Sequence, residues 1–91
     1  MSTLSEAPGL AGIPEADVEL DTKGLNCPLP ILRTKKALAK LESGQVVAVL
    51  TTDPHAVRDF QAFCKQTGNT LLIQQACEDD PDVIMHYVRR R

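Results

Sequence analysis

The spacing of hydrophobic positions predicts two amphipathic helices. The first helix runs from Pro28 or Pro30 to about Glu42. The second helix begins at Asp53-Pro54, because Asp is a favourable N-cap residue and Pro is tolerated in the first turn. The apolar side of the first helix consists of Ile31, Thr34, Ala37, Leu38 and Leu41. The inner side of the second, which continues to about Thr67, consists of Val57, Phe60, Phe63, Cys64 and Thr67.

Four other segments have the pattern of β-strands. Residues 18–20 alternate apolar and polar, whereas residues 45–52 form an almost continuous apolar run that is typical of a central, buried strand. Residues 70–77 and 83–89 flank a short acidic turn. Two strands joined by so short a turn are expected to pair antiparallel.

The order β-α-β-α-β-β predicts an α/β fold of the α+β two-layer sandwich type. We expect a four-stranded mixed sheet with both helices packed on one face. The domain is predicted to span residues 17–91. Residues 1–16 are rich in Pro, Gly, Ala, Ser and Glu and are predicted to form a mobile tail.

Composition narrows the class of function. The chain has 91 residues, 43% of them hydrophobic, and a formal net charge of -2, so direct binding to nucleic acid or to an anionic membrane is not expected. No apolar run reaches the ~20 residues that span a bilayer, and the N-terminus lacks the features of a secretory signal. These observations predict a cytoplasmic protein.

Three cysteines supply the candidate chemistry: Cys27, Cys64 and Cys77. The number of cysteines is odd and no two of them form a C-x-x-C pair, which argues against a disulfide framework. Neither a metal site nor a cofactor is expected. Cys64 lies on the apolar side of the second helix and is interpreted as a core residue. Cys77 ends a strand and is interpreted as structural or incidental.

Cys27 is the candidate reactive residue because it stands where a loop turns into a helix. The positive end of a helix dipole favours a thiolate, and Lys23, Arg33 and Lys36 are near in sequence, so a lowered pKa is expected for Cys27. Gly24 lies in the preceding turn, and Pro28 and Pro30 restrict the backbone around the cysteine. The N–H groups of Leu29 and Ile31 remain as donors near the sulfur.

Other residues of the first helix predict a surface for a partner protein. Leu29 and Leu32 fall outside its buried side, and exposed leucines beside a nucleophile are typical of a docking surface. Arg33 and Lys36 are predicted to form its rim.

Acidic and histidine residues receive structural interpretations. Asp53 is interpreted as a helix cap and Asp59 as a solvent-facing helix residue. His55 and His86 belong to no cluster with the spacing of metal ligands.

Two segments resemble the TusA/SirA-type sulfur carriers. Residues 20–36 read LDTKGLNCPLPILRTKK and contain a Gly-Leu-x-Cys-Pro-x-Pro motif. Residues 51–69 read TTDPHAVRDFQAFCKQTGN, with a similar Asp-Pro helix start, a later Asp and a glycine stop. The resemblance, which covers residues 17–90, implies a βαβαββ sandwich in which Cys27 carries sulfane sulfur as a persulfide.

The resemblance also implies partners. A cysteine desulfurase or a rhodanese-like protein would donate the sulfur, and an acceptor protein would use it in tRNA 2-thiouridine synthesis, sulfur oxidation or molybdenum-cofactor maturation. Such a chain is a sulfurtransferase-like co-substrate rather than a stand-alone enzyme. Two alternatives stay open: a thiol redox or regulatory protein that acts through Cys27, and a small RNA-binding module.

Overall fold

In the computed structural model, which describes residues 14–91, two helices and four strands follow one another in the predicted order. They are β1 (Val18–Asp21), α1 (Leu29–Ala39), β2 (Val46–Thr51), α2 (Ala56–Thr67), β3 (Thr70–Ala76) and β4 (Ile84–Arg89). Most of the predicted N-terminal tail, residues 1–13, lies outside the described residues; residues 14–16 belong to no helix or strand. No helix within residues 14–91 is long and apolar enough to cross a membrane.

The strands form one mixed sheet in the order β1-β2-β4-β3. β1 pairs parallel with β2, and β4 pairs antiparallel with both β2 and β3. The prediction of a mixed four-stranded sheet is confirmed, and so is the antiparallel pairing of the last two strands. Because β1 and β2 are parallel neighbours, the loops that follow them leave from the same edge of the sheet.

Both helices pack on one face of the sheet, as predicted. The centre of this layer is Phe60 of α2, which is fully buried against Val47 and Val49 of β2. The other buried members of this core are Leu38, Ala56, Phe63, Cys64 and Val88. Helix α1 contributes Leu38 together with the partly buried Ile31 and Ala37, and Leu41 packs on the same core just after the helix ends, which confirms the predicted apolar stripe.

A smaller cluster occupies the opposite face of the sheet. Val46, Ala48 and Tyr87 are buried there, with Leu72, Ile73 and Met85 packed against them. Strand β2 therefore contributes alternate residues to two apolar clusters, which explains its almost continuous hydrophobic sequence.

His86 is a fully buried polar residue between the sheet and α2. Its ring stacks on Phe60 with the centroids 4.3 Å apart. Its Nε2 lies 2.8 Å from Thr51 Oγ1, and its Nδ1 lies 3.0 Å from Gln74 Nε2. The Gln74 amide also donates to the Val57 carbonyl at 2.9 Å. Since an amide nitrogen can only donate, Nδ1 is the acceptor and the imidazole is neutral.

The ends of the helices differ from the predicted ends. Helix α1 ends at Ala39, and the N–H groups of Lys40 and Leu41 donate to carbonyls three residues earlier, so the chain tightens before Gly44. Helix α2 begins at Ala56 and not at Pro54, because the Asp53 side chain holds the preceding residues in a turn.

Candidate functional site

Cys27 lies in the turn that connects β1 to α1, and its side chain is exposed. Pro28 occupies the N-cap position of α1, and no side chain caps this end of the helix. Pro30 follows in the first turn and is buried. The Cys27–Pro28 peptide bond is cis. The structure thus places Cys27 just outside the helix start, where the sequence predicted it.

Three contacts anchor this loop to the end of β2. The N–H of Thr22 donates to the Leu50 carbonyl at 2.9 Å, and the Thr22 hydroxyl donates to the same oxygen. The N–H of Gly24 donates to Thr52 Oγ1 at 2.9 Å. Gly24 has a φ of 84°, in the left-handed region that favours glycine. The supporting role predicted for Gly24 is therefore a backbone role.

Asp53 joins the Cys27 loop to the start of α2. The N–H of Cys27 donates to Asp53 Oδ2 at 2.6 Å, while Asp53 Oδ1 accepts the N–H of His55 at 2.9 Å. The His55 ring lies beside the same oxygen, with Nδ1 at 3.2 Å. The backbone hydrogen bonds from His55 and Cys27 lower the pKa of Asp53. The prediction that Asp53 caps the second helix is wrong, because His55 occupies the N-cap position of α2 and no side chain caps it. Asp53 instead holds the turn before the helix, and its bond to Cys27 was not predicted.

The charges around Cys27 contradict one prediction. The pKa of the Cys27 thiol is raised, first by the Asp59 side chain, which favours the protonated sulfur, then by desolvation and by the charges of Asp59 and Asp53. Lys23 pairs with Asp21 at 2.8 Å instead of assisting the sulfur. The predicted lowering of this pKa is therefore wrong, because the carboxylates of Asp59 and Asp53 and the desolvation of the thiol all act in the opposite direction.

One of the two backbone N–H groups expected to donate to the sulfur, that of Leu29, already has another acceptor. The N–H of Leu29 donates to the Asn26 carbonyl at 2.8 Å, so it does not point at the thiol. The interpretation of Asp59 as solvent-facing is wrong as well, because Asp59 is half-buried. Its position in the first turn of α2 is the signal that could have revealed this, since helical side chains lean toward the N-terminus.

A shallow depression of about 360 Å³ gives access to the reactive residue. It is lined by Asn26, Cys27, Asp53, Pro54 and His55. Cys27 is the one cysteine in this lining. Within residues 14–91, no three His, Cys, Asp or Glu side chains are grouped so that they could hold a metal ion.

The predicted docking residues lie together beside Cys27. Leu29 and Leu32 are 45% and 48% exposed, which is high for leucine. They line a depression of about 440 Å³ with Arg33, Lys35 and Lys36. Lys35 was not predicted to belong to this surface.

The other two cysteines are free but differently placed. Cys64 is buried in the helix-covered core, as predicted, and burial raises its pKa to about 11. Cys77 is half-buried after the end of β3, where its N–H donates to the Val83 carbonyl at 2.9 Å. Neither lines the depression at Cys27.

Fold and site define a small α+β protein that presents one exposed thiol on the anchored loop between β1 and α1. Residues 18–90 match the model of the family described as Sulfurtransferase TusA. The chain belongs to the TusA family.

Individual relatives agree with this assignment. The chain is 64% identical over 56 residues to the sulfur carrier protein TusA of Allochromatium vinosum, covering 62% of this chain and 74% of that protein. It is 36% identical over 75 residues to the sulfur carrier protein TusA of Pseudomonas entomophila, covering 82% and 90%. The crystal structure of a SirA-like protein from Desulfitobacterium hafniense superposes with a TM-score of 0.65 at 33% identity, covering 79% of this chain and 95% of that one.

Proposed function

We propose that this protein is a sulfur carrier in which Cys27 accepts a sulfane sulfur as a persulfide and delivers it to an acceptor protein. The exposed Cys27 thiol, alone in its depression, is the observation that carries the proposal. Membership of the TusA family supports it. The carrier domain in this proposal spans residues 17–91, and it acts in the cytoplasm, where a free thiol stays reduced.

The transfer is an exchange between sulfur–sulfur bonds. During loading, the Cys27 sulfur attacks the outer sulfur of a donor persulfide; a new sulfur–sulfur bond forms, and the donor's own sulfur–sulfur bond breaks. The donor sulfur leaves as a thiolate and takes up a proton equivalent to the one that Cys27 releases. Delivery repeats these steps with an acceptor cysteine as the attacking group. The exchange needs neither metal nor cofactor.

Isolation of Cys27 from the other thiols favours the carrier over a redox role. A thiol beside a loaded Cys27 would attack its inner sulfur, expel the cargo and close a disulfide. Cys64 is enclosed in the core, and Cys77, which follows β3, does not line the depression that holds Cys27. The cargo therefore has no internal competitor at the site.

The surface beside Cys27 supports a protein partner of defined chemistry. Leu29 and Leu32 offer an apolar contact, and Arg33, Lys35 and Lys36 surround it with positive charge. A partner segment that carries an apolar side chain flanked by Asp or Glu complements this surface. The proposed donor is a cysteine desulfurase or a rhodanese-like protein, and both donor and acceptor present such a segment beside their reactive cysteine.

Mass spectrometry of the loaded protein tests the carrier function. The protein is incubated with a cysteine desulfurase and free cysteine, and the modified residue is located by peptide mapping. Wild type and the Cys77→Ser control are expected to gain the mass of one sulfur atom on Cys27, whereas Cys27→Ser gains none. A wild type that stays unmodified, or a Cys27→Ser variant that loads equally, would overturn the proposal.

A further inference from the structure

A separate cleft lies where the two helices end. It has a volume of about 200 Å³ and is formed by the C-terminal halves of α1 and α2 together with the residues that follow β4. Cys27 precedes the first turn of α1, whereas Ala39, which lines the cleft, is the last residue of that helix. The cleft shares no lining residue with the depression at Cys27, so the two are distinct sites.

Three positively charged side chains line the cleft: Lys35, Arg90 and Arg91. Within residues 14–91, none of the three forms an ion pair, and no Asp or Glu lines the cleft. The ends of the two helices direct a partial negative charge toward it, equivalent to about half an electron charge each, which three full positive charges outweigh. The cleft is therefore electropositive.

Hydrogen bonds along one wall of the cleft use up its neutral acceptor groups. The Thr67 hydroxyl donates to the Phe63 carbonyl at 2.7 Å, and Asn69 Nδ2 donates to Thr67 Oγ1 at 2.8 Å. Asn69 Oδ1 in turn accepts the N–H of Arg91 at 3.0 Å. The side-chain oxygens of Thr67 and Asn69 thus have partners, whereas lysine and arginine can only donate. This combination favours a ligand that accepts hydrogen bonds and carries negative charge.

Both arginines are held at the cleft by the structure around them. The N–H of Arg90 donates to the Gln45 carbonyl at 2.8 Å, and the Arg90 carbonyl accepts the N–H of Gly44 at 2.8 Å. The side chain of Arg91 lies across Gly68, where an added Cβ would be 3.4 Å from Arg91 Cδ. Because this backbone is fixed before a ligand arrives, the entropic cost of binding is reduced.

The cleft also has an apolar wall. Leu38 and Phe63 are buried core residues that line it. Its volume of about 200 Å³ equals that of about seven water molecules at ~30 Å³ each, which is more than one tetrahedral oxyanion needs. The remaining space beside apolar carbon atoms fits a compact apolar group attached to the anion.

We propose that this cleft binds a small phosphate or sulfate monoester. The oxyanion lies between Lys35, Arg90 and Arg91, and the apolar group of the ester packs against Leu38 and Phe63. A guanidinium group can contact two oxygens of such an anion at once, and these charge-assisted hydrogen bonds are stronger than those between neutral groups. Binding at this site does not depend on the sulfur chemistry of Cys27.

NMR titration of the ¹⁵N-labelled protein with phenyl phosphate tests the proposal. The amide signals of Gly68 and Arg91 and the side-chain amide of Asn69 are expected to shift and to saturate. A wild type that shows no saturable shift at these signals would overturn the proposal, because the three cations would then serve only to stabilise the helix ends.

Two further ligands separate the parts of the proposed molecule. Inorganic phosphate is expected to shift the same signals with lower affinity, and benzyl alcohol is expected not to bind. Equal affinity for inorganic phosphate and phenyl phosphate would overturn the assignment of an ester. Equal affinity for benzyl alcohol and phenyl phosphate would overturn the assignment of an anion.

Arginine substitutions locate the binding site. Arg90→Ala and Arg91→Ala are each expected to weaken binding of phenyl phosphate by about tenfold or more, because each removes hydrogen bonds to a charged group. Arg89→Ala is the matched control: it removes the same charge from the adjacent residue, which does not line the cleft. Equal weakening by Arg89→Ala and Arg90→Ala would overturn the proposal. Lys35 is left unchanged because it also lines the docking depression.

A substitution in α1 covers the case in which the arginine variants do not fold. Ala39 is exposed, and Ala39→Glu places a carboxylate at the cleft, so binding of phenyl phosphate is expected to be lost. Ala62→Glu, at an exposed position of α2 outside the cleft, is the control and should bind as wild type does. Undiminished binding by Ala39→Glu would overturn the proposal.

Discussion

The backbone N–H of Cys27 donates a 2.6 Å hydrogen bond to Oδ2 of Asp53, 26 positions further along the chain. The bond joins the loops that follow β1 and β2, whose parallel pairing brings them to one edge of the sheet. It fixes the backbone of the reactive residue while leaving the thiol exposed. Cys27 is therefore rigidly held without being enclosed.

Thiol labelling is expected to distinguish Cys27 and Cys64. At pH 7 an alkylating reagent modifies Cys27 in the folded protein and leaves Cys64 unmodified, because Cys64 is buried and has a pKa of about 11. With that pKa, roughly one Cys64 in ten thousand is a thiolate at pH 7. Peptide mapping before and after unfolding in urea checks the prediction, which fails if Cys64 is modified in the folded protein as fast as Cys27.

Charge reversal on the proposed docking surface should affect loading by a protein donor but not by a small one. Lys36→Glu is expected to slow transfer from a cysteine desulfurase by about tenfold at low salt, because it repels the acidic partner segment, and added salt should reduce the difference. Loading from inorganic polysulfide should not change. The measurement is the rate of mass gain on Cys27.

Lys65→Glu is the control for this experiment, since Lys65 is exposed in the last turn of α2 and lines no part of the docking depression. Equal slowing by Lys36→Glu and Lys65→Glu would show that overall charge, and not this surface, determines the rate.

Buried His86 is expected to make the fold sensitive to acid. Burial lowers its pKa from 6.5 to about 4, so between these values the unfolded chain binds a proton that the folded protein does not. The contribution of His86 to the free energy of unfolding is complete above pH 6.5 and declines as the pH falls toward 4, by up to about 3 kcal/mol. Urea unfolding across this range measures it.

His86→Gln cannot take up this proton, so its stability should fall less steeply over the same range. Parallel curves for wild type and His86→Gln would contradict the prediction, because the remaining acid sensitivity would then come from carboxylates alone.

Two glycines allow loop strain to be separated from site chemistry. Gly24 and Gly44 have φ values of 84° and 88°, and an added Cβ would meet no atom within 4 Å at either position. Alanine at each is expected to cost about 1–2 kcal/mol of stability through the left-handed backbone alone. Gly24→Ala should also slow sulfur loading of Cys27, whereas Gly44→Ala should not. Urea unfolding and mass gain test both statements, and equal loading by the two variants would contradict them.

Much of the fold could be predicted because the hydrophobic pattern within each element indicates which of its sides is buried. The apolar run over 46–51 predicted a strand buried on both sides, and the structure contains two clusters that meet across β2. The stripe that ends in Leu38 and Leu41 predicted the buried side of α1. Each of these signals lies within one element, where residue spacing and geometry are directly related.

The electrostatics of the site could not be predicted in the same way. Reasoning from the helix start considered only the residues next to Cys27 in the chain, which include Lys23 and Arg33. The charged groups that raise the pKa of Cys27 are Asp59, in the first turn of α2, and Asp53, in the loop before that helix. Their approach depends on the β1–β2 register, which pairs Leu20 with Val49 and which no local pattern specifies.

Strand β1 lies at an edge of the sheet and pairs with a single neighbour, β2. Three of its four residues are exposed, so few apolar contacts retain it. Detachment of this strand alone is consequently the least costly way to release the Cys27 loop from its anchors. Heat or denaturant should then abolish sulfur transfer before it melts the helices, and hydrogen exchange should be fastest in the strand that leads to the thiol.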